Sequence, residues 1–167
     1  MSTTENLEHR EALKKLKDLI EDIKTCMLAT NLEYLPLNVR PMQTLKVDDT
    51  GNIWFFNSKD SLQYTDIKQD NRIQLMYGHP GKTEFLSIYG TAHLSHDRDK
   101  IDELWHPMVS AWFEGKDDPN LMLLRVSPQD AYYWDTKHNK LVSLFKIAAS
   151  AVSDHYEDDG IKGRLKV

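Results

Sequence analysis

The sequence contains little of what several large protein classes require. It has a single cysteine, Cys26, in 167 residues, so an intramolecular disulfide is impossible and a cytoplasmic location is favoured. No apolar run approaches the roughly 20 residues that a membrane-spanning helix needs, and the first residues lack the basic segment and apolar core of a signal peptide. The net charge is −5, whereas nucleic-acid-binding proteins usually present a basic face. We therefore expect neither a membrane nor a nucleic acid as a partner.

The familiar catalytic motifs are also missing. The sequence has no Gly-x-Ser-x-Gly elbow, no Gly-x-x-x-x-Gly-Lys-Ser/Thr phosphate loop and no Gly-x-Gly-x-x-Gly fingerprint. Its seven histidines form no His-x-x-x-His pair and no cluster with cysteine, so no metal site is predicted. Cys26 lies in an apolar run and is expected to be buried and inert. If the chain is an enzyme, a cofactor is expected to carry the reactive atom, and the catalytic residues stay unknown.

The composition indicates one globular domain. Hydrophobic residues make up 40% of the chain and charged residues 28%, which is enough apolar material for a core in a chain of this length. Residues 1–152 are predicted to form the domain. Residues 153–167 are polar and charged, and they are predicted to form a flexible tail.

The hydrophobic pattern indicates a mainly β (α+β) fold. Strands are predicted at residues 26–30, 37–47, 53–56, 71–77, 84–94, 121–126 and 131–134. Helices are predicted at residues 5–24, 62–69 and 97–113, the last bent or split by Pro107. Residues 140–152 fit a strand or a helix, and their apolar spacing favours a helix. Because most strand connections are short, we expect an antiparallel sheet closed into a small barrel with peripheral helices.

Three residues carry sharper structural predictions. Pro41 cannot donate to a strand ladder, so it is expected at a sheet edge or a bulge. Gly51, in a turn over residues 48–52, is available for positive φ. Gly90 indicates a bulge or a sharp bend in its strand.

The stretch of residues 52–61 is the most informative part of the chain. An apolar strand runs into a polar turn, where Asp60 or Ser61 is a suitable N-cap for the next helix. A helix N-terminus offers backbone N–H groups and the positive end of the helix dipole, which together can hold a phosphate. An ordinary strand-to-helix turn explains the same pattern, and this stretch alone favours that simpler interpretation.

A series of short segments, taken in order and with their spacing, is more specific than any one of them. The segments are residues 39–44 (VRPMQT), 53–61 (IWFFNSKDS), 71–73 (NRI), 100–105 (KIDELW), 111–113 (AWF), 115–119 (GKDDP), 123–126 (LLRV), 133–135 (YWD) and 140–145 (KLVSLF). Together they resemble the FMN-binding split barrel of the pyridoxamine 5′-phosphate oxidase superfamily, and in particular its general stress protein 26 branch. The resemblance covers about residues 22–152.

This resemblance implies an antiparallel split β-barrel that binds FMN in a groove between the two subunits of a homodimer. On the family pattern, Arg40 and the backbone of Pro41 and Met42 face the flavin or its phosphate. Residues 55–58 run along the ring, Ser61 touches the phosphate, and Trp134 or Trp112 of the other subunit covers the ring. The implied site residues are Arg40, Pro41, Met42, Phe55, Phe56, Asn57, Ser58, Lys59, Ser61, Gln63, Trp112 and Trp134.

The chain departs from the family pattern at Gln63, where the family commonly has a basic residue. Lys59 and Lys68 are the candidates to compensate. A lost charge-assisted hydrogen bond is worth roughly 1.5–3 kcal/mol, so we expect weaker FMN binding than in relatives. A lysine at position 63 is accordingly expected to tighten FMN binding and to leave riboflavin binding unchanged.

Three functions stay open at this point. The first is a flavin-dependent oxidoreductase that passes hydride or electrons through FMN N5. The second is a non-catalytic flavin-binding stress protein, which the lack of an obvious general acid or base favours. The third is a related split barrel that uses a deazaflavin or haem. Vitamin B6 chemistry is disfavoured, because no basic cluster for a second phosphate is evident, and the substrate is not readable from the sequence.

Overall fold

The computed structural model describes the backbone of residues 7–8, 10–135 and 161–166 and the side chains of residues 10–134. The strands are β1 (Leu7–Glu8), β2 (Thr25–Thr30), β3 (Asn38–Gln43), β4 (Lys46–Val47), β5 (Ile53–Ser58), β6 (Arg72–His79), β7 (Glu84–Ser95), β8 (Leu121–Asp135) and β9 (Ile161–Lys166). The helices are α1 (Arg10–Ile23), α2 (Leu62–Gln69) and α3 (Arg98–Leu104), and short 3₁₀ segments cover Pro80–Lys82 and Pro107–Ala111. No helix in these ranges is long and apolar enough to cross a membrane.

The nine strands that the structure describes belong to one curled sheet. Its main path runs β1-β9-β8-β7-β6-β2-β3, and β5 joins β8 while β4 joins β5. Every pairing is antiparallel except that of β1 with β9. The first part of β8 pairs with β5 and its last part with β9, while β7 runs along its other side. This division of partners along β8 confirms the mainly β split barrel with peripheral helices.

Two apolar clusters lie on opposite faces of strand β5. Helix α1 buries one stripe against the sheet, in which Leu16 and Ile20 are almost fully buried. Phe55 belongs to this main core, whereas Phe56 belongs to a second cluster under α3 with Ile101 and other residues. Because β5 is covered on both faces, its sequence is a continuous apolar run without the alternation of a half-exposed strand.

The local predictions at proline and glycine are confirmed. Pro41 lies on β3, which pairs only with β2 among the described strands and therefore forms a sheet edge. Gly51 has φ +86°. The pairing of β7 with β8 shifts register between Tyr89 and Gly90. Pro107 splits the predicted helix, which ends at Leu104 and is followed by the 3₁₀ segment.

The structure differs from the prediction in four segments. Residues 7–8 form strand β1, although a helix was predicted from residue 5. The strand predicted at residues 37–47 is divided into β3 and β4. Between them, the backbone N–H groups of Thr44 and Leu45 donate hydrogen bonds to the carbonyl oxygens of Lys24 and Trp54. The two strands predicted at residues 121–126 and 131–134 form the single strand β8, which tolerates Pro128 because this residue lies at the bulge opposite Gly90.

The fourth difference is strand β9, which lies inside the segment predicted to be flexible. It is held by pairing with β8 and β1, and such long-range partners leave no local pattern in a polar sequence. Residues 140–152, where a strand or a helix was expected, lie outside the described residues. The domain boundary at residue 152 stays a prediction.

Candidate functional site

A cavity of about 700 Å³ opens between edge strand β3, the end of β5 and the segment that follows α3. Its volume lies within the roughly 300–1,000 Å³ that is usual for small-molecule sites. The lining residues are Thr25, Arg40, Pro41, Met42, Gln43, Leu45, Phe56, Asn57, Ser58, His106, Met108, Val109, Trp112 and Phe113. None of these side chains is a carboxylate, so the cavity is mainly apolar with a small number of neutral or basic polar groups.

Asn57 lies at the end of β5 and is one of the residues that line the cavity. The side chain is only 4% exposed. Its Oδ1 accepts the backbone N–H of Ser58 at 2.8 Å and the hydroxyl of Ser61 at 2.8 Å. Because a backbone N–H can only donate, the side-chain oxygen is identified and Nδ2 must be the donor. That Nδ2 has no hydrogen-bond partner within the described part of the chain. An unpartnered buried donor costs about 1–3 kcal/mol, so this group is suited to an acceptor on a ligand.

Ser61 has a structural task at the start of α2. Its Oγ accepts the backbone N–H of Tyr64 at 3.1 Å, which confirms it as the N-cap. The hydroxyl proton is within reach of Asn57 Oδ1 and of the Ser58 carbonyl oxygen, at 2.8 and 2.7 Å. Ser61 therefore holds the Asn57 amide in place, and the serine itself is not among the residues that line the cavity.

Edge strand β3 forms a second wall of the cavity. Since β3 has one strand neighbour in the described sheet, Arg40 and Gln43 can face a ligand without disturbing another strand. Arg40 is exposed and makes no ion pair with any residue whose side chain is described. Its guanidinium is therefore available for an anionic group.

The third wall is the segment after α3. His106 starts it, and its Nδ1 accepts the backbone N–H of Met108 at 3.3 Å. Phe113 meets Phe56 in an edge-on arrangement, with ring centroids 6.4 Å apart, which fixes the wall to strand β5. Trp112 is 67% exposed although it is the largest apolar side chain of the cavity lining. An indole left open beside a cavity is suited to contact a planar ligand.

Helix α3, which carries this wall, is fixed to the sheet by charged groups. Glu103 accepts hydrogen bonds from Lys46 at 2.6 Å and from Lys100 at 2.9 Å. These two ammonium groups lower the pKa of Glu103. The ammonium of Lys100 also lies 4.8 Å from the ring centroid of Trp54 on β5. The helix and the strand that border the cavity are thus linked by one network.

The structure brings most of the residues implied by the resemblance to the cavity. Those that line it are Arg40, Pro41, Met42, Phe56, Asn57, Ser58 and Trp112. Five others do not line it. Phe55 is fully buried in the main core, so only its backbone could meet a ligand there. Lys59 and Ser61 lie in the turn before α2, and Trp134 lies on β8, edge-on to Tyr132 with centroids 4.6 Å apart.

Gln63 is the fifth, and its placement changes the expectation drawn from the family pattern. The side chain is only 2% exposed, and neither of its amide atoms has a partner in the described region. A lysine in its place would have to bury an ammonium group, which is costly without a paired charge. The structure therefore does not support the simple gain in phosphate binding that the sequence suggested.

Sequence reasoning missed several lining residues. These are Thr25, Gln43, Leu45, His106, Met108, Val109 and Phe113. The signal that could have found His106 and Met108 is their position around Pro107, because a proline that ends a helix leaves its neighbours in an irregular segment. Cys26 next to Thr25 is buried, as the sequence predicted, and this burial raises the pKa of its thiol to about 12.

Several apolar side chains lie on the face of the sheet that points away from the main core. Met27 on β2 lies opposite Pro41 on β3 and opposite Met76 on β6. Phe85 on β7 lies opposite Trp134 on β8. Met27, Met76 and Phe85 are 43%, 38% and 36% exposed. We call these five residues the outer apolar face, and a group of exposed apolar side chains is typical of an interaction site.

The sequence of this chain is similar to those of known proteins. A family model described as pyridoxamine 5′-phosphate oxidase like matches residues 11–158. General stress protein 26 of Bacillus subtilis (strain 168) is 24% identical over 141 residues, which cover 83% of this chain and 99% of that protein.

Two solved structures are similar in both sequence and fold. A general stress FMN/FAD binding protein from Xanthomonas citri is 33% identical, with a TM-score of 0.66 and coverage of 78% of this chain and 93% of that one. A protein related to general stress protein 26 from Clostridium acetobutylicum is 26% identical, with a TM-score of 0.65 and the same two coverages.

Proposed function

Because this chain belongs to the pyridoxamine 5′-phosphate oxidase-like family, we propose that its cavity binds FMN and that the protein is a cytoplasmic flavin-dependent oxidoreductase. The observation that carries this proposal is the buried Nδ2 of Asn57, an unpartnered donor among the described side chains, at the edge of an apolar slot. A flavin ring is flat and apolar and has carbonyl acceptors along one edge. The relative from Xanthomonas citri, which is an FMN/FAD binding protein, adds support.

The residues present fit such a group. Phe56 and Trp112 provide aromatic surface for a planar ring, and Met42 adds apolar contact. Asn57 Nδ2 would donate to a ring carbonyl oxygen. Arg40 is the guanidinium on the cavity wall, and it would pair with the phosphate. Ser61 would act through Asn57, because it fixes the amide oxygen and thereby the direction of the donor.

Bound FMN supplies hydride or electron transfer, which none of the side chains lining the cavity can perform. The chain's own residues orient the ring and limit the access of water. The Asn57 donor and the Arg40 cation would set the position of the ring along the slot. Val109 is buried in the second apolar cluster, and Phe113 packs against that cluster. Together they would exclude water from the wall behind the ring.

We also propose that two copies of the chain pair through the outer apolar face. Pro41 belongs to this face and to the lining of the cavity, so a partner seated there would border the open side of the cavity. Trp134 lies on the same face and is the residue that a partner would bring toward the ring. The FMN site would then be shared between the subunits.

The test is titration of the purified protein with FMN and riboflavin, followed by flavin fluorescence. In Asn57→Asp, the carboxylate can still accept from Ser58 and Ser61, but the donor is lost. We expect FMN affinity to fall about ten-fold or more, as for the loss of a buried hydrogen bond together with an added negative charge. Asn71→Asp, at an exposed position, is the control for charge and should bind FMN like the parent.

The possible outcomes distinguish flavin binding from oxidoreductase activity. If the parent binds neither FMN nor riboflavin, the flavin site is refuted, and absorption bands of a deazaflavin or haem would identify the occupant. If FMN binds but is neither reduced by a reduced nicotinamide nor reoxidised by an acceptor, the protein is a flavin-binding protein without oxidoreductase activity. Reduction and reoxidation at a steady rate would support the enzyme.

A further inference from the structure

His106 lines the cavity but has no part in the proposed flavin contacts. It lies on the segment after α3, whereas Arg40 lies on edge strand β3, so the two residues come from different walls. They are the basic side chains of the lining, and no carboxylate lines the described cavity. If Arg40 pairs with the flavin phosphate, the cavity still holds a second group suited to an anion.

The hydrogen bond of His106 defines which ring nitrogen is available. Nδ1 accepts the backbone N–H of Met108, so the neutral imidazole carries its proton on Nε2. The side chain is exposed, which leaves Nε2–H able to donate to an incoming oxygen. A hydrogen bond from this group to an ionised acceptor is stronger than one to a neutral acceptor.

The neighbours of His106 indicate which kind of molecule would carry this anionic group. Met108 and Trp112 line the same wall and are 56% and 67% exposed. Exposed thioether and indole groups beside a cavity offer contact to a flat apolar body. We propose that His106 determines ligand specificity, and that the molecule bound beside the flavin is a planar carboxylate whose anionic oxygen accepts a hydrogen bond from His106 Nε2–H. This inference rests on the proposed flavin site.

The rival explanation is that His106 only caps the 3₁₀ segment. Two substitutions separate the roles. In His106→Ser, a hydroxyl can still accept the N–H of Met108, because serine is a good cap, but it cannot reach into the cavity. In His106→Lys, the cap is lost while a long donor to an anion remains. A capping role predicts that serine preserves function and lysine does not, and the specificity role predicts the reverse.

The experiment uses benzoate and benzamide, which share a shape and differ in charge. Their dissociation constants are measured on the FMN-loaded protein from changes in flavin absorption. We expect benzoate to bind about ten-fold more tightly than benzamide, as for one charge-assisted hydrogen bond. This preference should be lost in His106→Ser and kept in His106→Lys. His93→Ser, an exposed histidine of β7 that does not line the cavity, should match the parent.

The inference is overturned if benzoate and benzamide bind equally to the parent, or if the preference survives in His106→Ser. It is also overturned if His106→Ser lowers the preference for FMN over riboflavin, because His106 would then belong to the flavin phosphate. If the parent binds no FMN, the proposed function fails separately. In that case the benzoate and benzamide dissociation constants are measured on the protein without FMN, from the NMR shifts of the His106 imidazole. Absence of benzoate binding there refutes the inference.

Discussion

Two buried amides near the cavity differ in what surrounds them. Asn57 lines the cavity, its side-chain oxygen accepts two hydrogen bonds, and its Nδ2 has no partner among the described residues. Gln63 is buried to a similar degree, but it does not line the cavity, and both of its amide atoms lack a partner among the described residues. Asn57 can gain a partner from a ligand, whereas Gln63 carries the cost of unsatisfied burial.

This cost leads to a prediction for Gln63→Met. Methionine has nearly the same length and no polar atoms, so the free energy of unfolding should rise by about 1 kcal/mol. Urea denaturation of the two proteins measures the difference. Gln63→Lys should lower the free energy of unfolding, since it buries a charge. If Gln63→Met lowers the free energy of unfolding instead, the Gln63 amide is hydrogen-bonded in the folded protein, for example to a buried water.

At the scale of single elements, the turn between β4 and β5 is held by one carboxylate. Asp48 accepts hydrogen bonds from Trp54, Thr50 and Asn52. Partial burial by itself raises the pKa of Asp48, but these donors outweigh it and lower the pKa from 3.8 to about 2. The turn therefore favours the ionised form and is stabilised by it.

The sign of this shift predicts an acid-sensitive hairpin. A carboxyl group whose pKa is lowered by folding stabilises the protein fully above its ordinary pKa, and the stabilisation is lost as the pH falls toward the lowered value. Asp48→Asn should therefore melt at a lower temperature than the parent near neutral pH. The gap should narrow between about pH 4 and pH 2. Thermal melts across this range test it, with the exposed Asp49→Asn as control. A gap that does not change with pH would contradict the assignment.

The bulge between β7 and β8 is a second element with a defined physical cause. A Cβ atom on Gly90 would come closer than van der Waals contact to the backbone carbonyl of Ser127, so the strands could not keep their spacing. Gly90→Ala should lower the free energy of unfolding by about 1–3 kcal/mol, as overpacking does. Chemical denaturation measures the loss.

Gly81→Ala is the matched control for this substitution. The nearest atoms to its added Cβ belong to the His79 side chain at 3.4 Å, which is ordinary contact. We expect a change within about 0.5 kcal/mol there. Equal losses at both glycines would show that the close contact at the bulge is not the cause of the effect.

At the scale of the whole molecule, the outer apolar face predicts the oligomeric state. Apolar side chains are exposed on three neighbouring strands, and a partner chain that covers them would remove them from water. Sedimentation at micromolar concentration should give twice the chain mass. Met76→Lys places a charge at the centre of this face and should shift the protein to monomer and weaken FMN binding.

Leu62→Lys is the control for the dimer prediction. Leu62 is 61% exposed and lies on α2, away from the outer apolar face. This variant should remain a dimer with parental FMN affinity. A monomeric parent would refute the pairing, and a dimer that persists in Met76→Lys would place the interface elsewhere on the molecule.

Much of the fold was determined by the sequence alone. The apolar run at β5, the edge position of Pro41, the turn at Gly51 and the bulge at Gly90 all follow from local causes. Hydrophobic period, the missing N–H of proline and the conformational freedom of glycine act over a few residues, so they are readable in order along the chain. The family resemblance identified most of the residues of β3 and β5 that line the cavity for the same reason, because its motifs are continuous segments.

Only the tertiary structure decided the rest. Strand β1 exists because it pairs with β9, more than 100 residues further along the chain, and β9 in turn pairs with β8. The burial of Gln63 and Phe55, and the arrival of His106 at the cavity, depend on how α2, β5 and the segment after α3 pack. Contacts between residues far apart in the chain are set by the free energy of the whole packed core, and no local pattern records them.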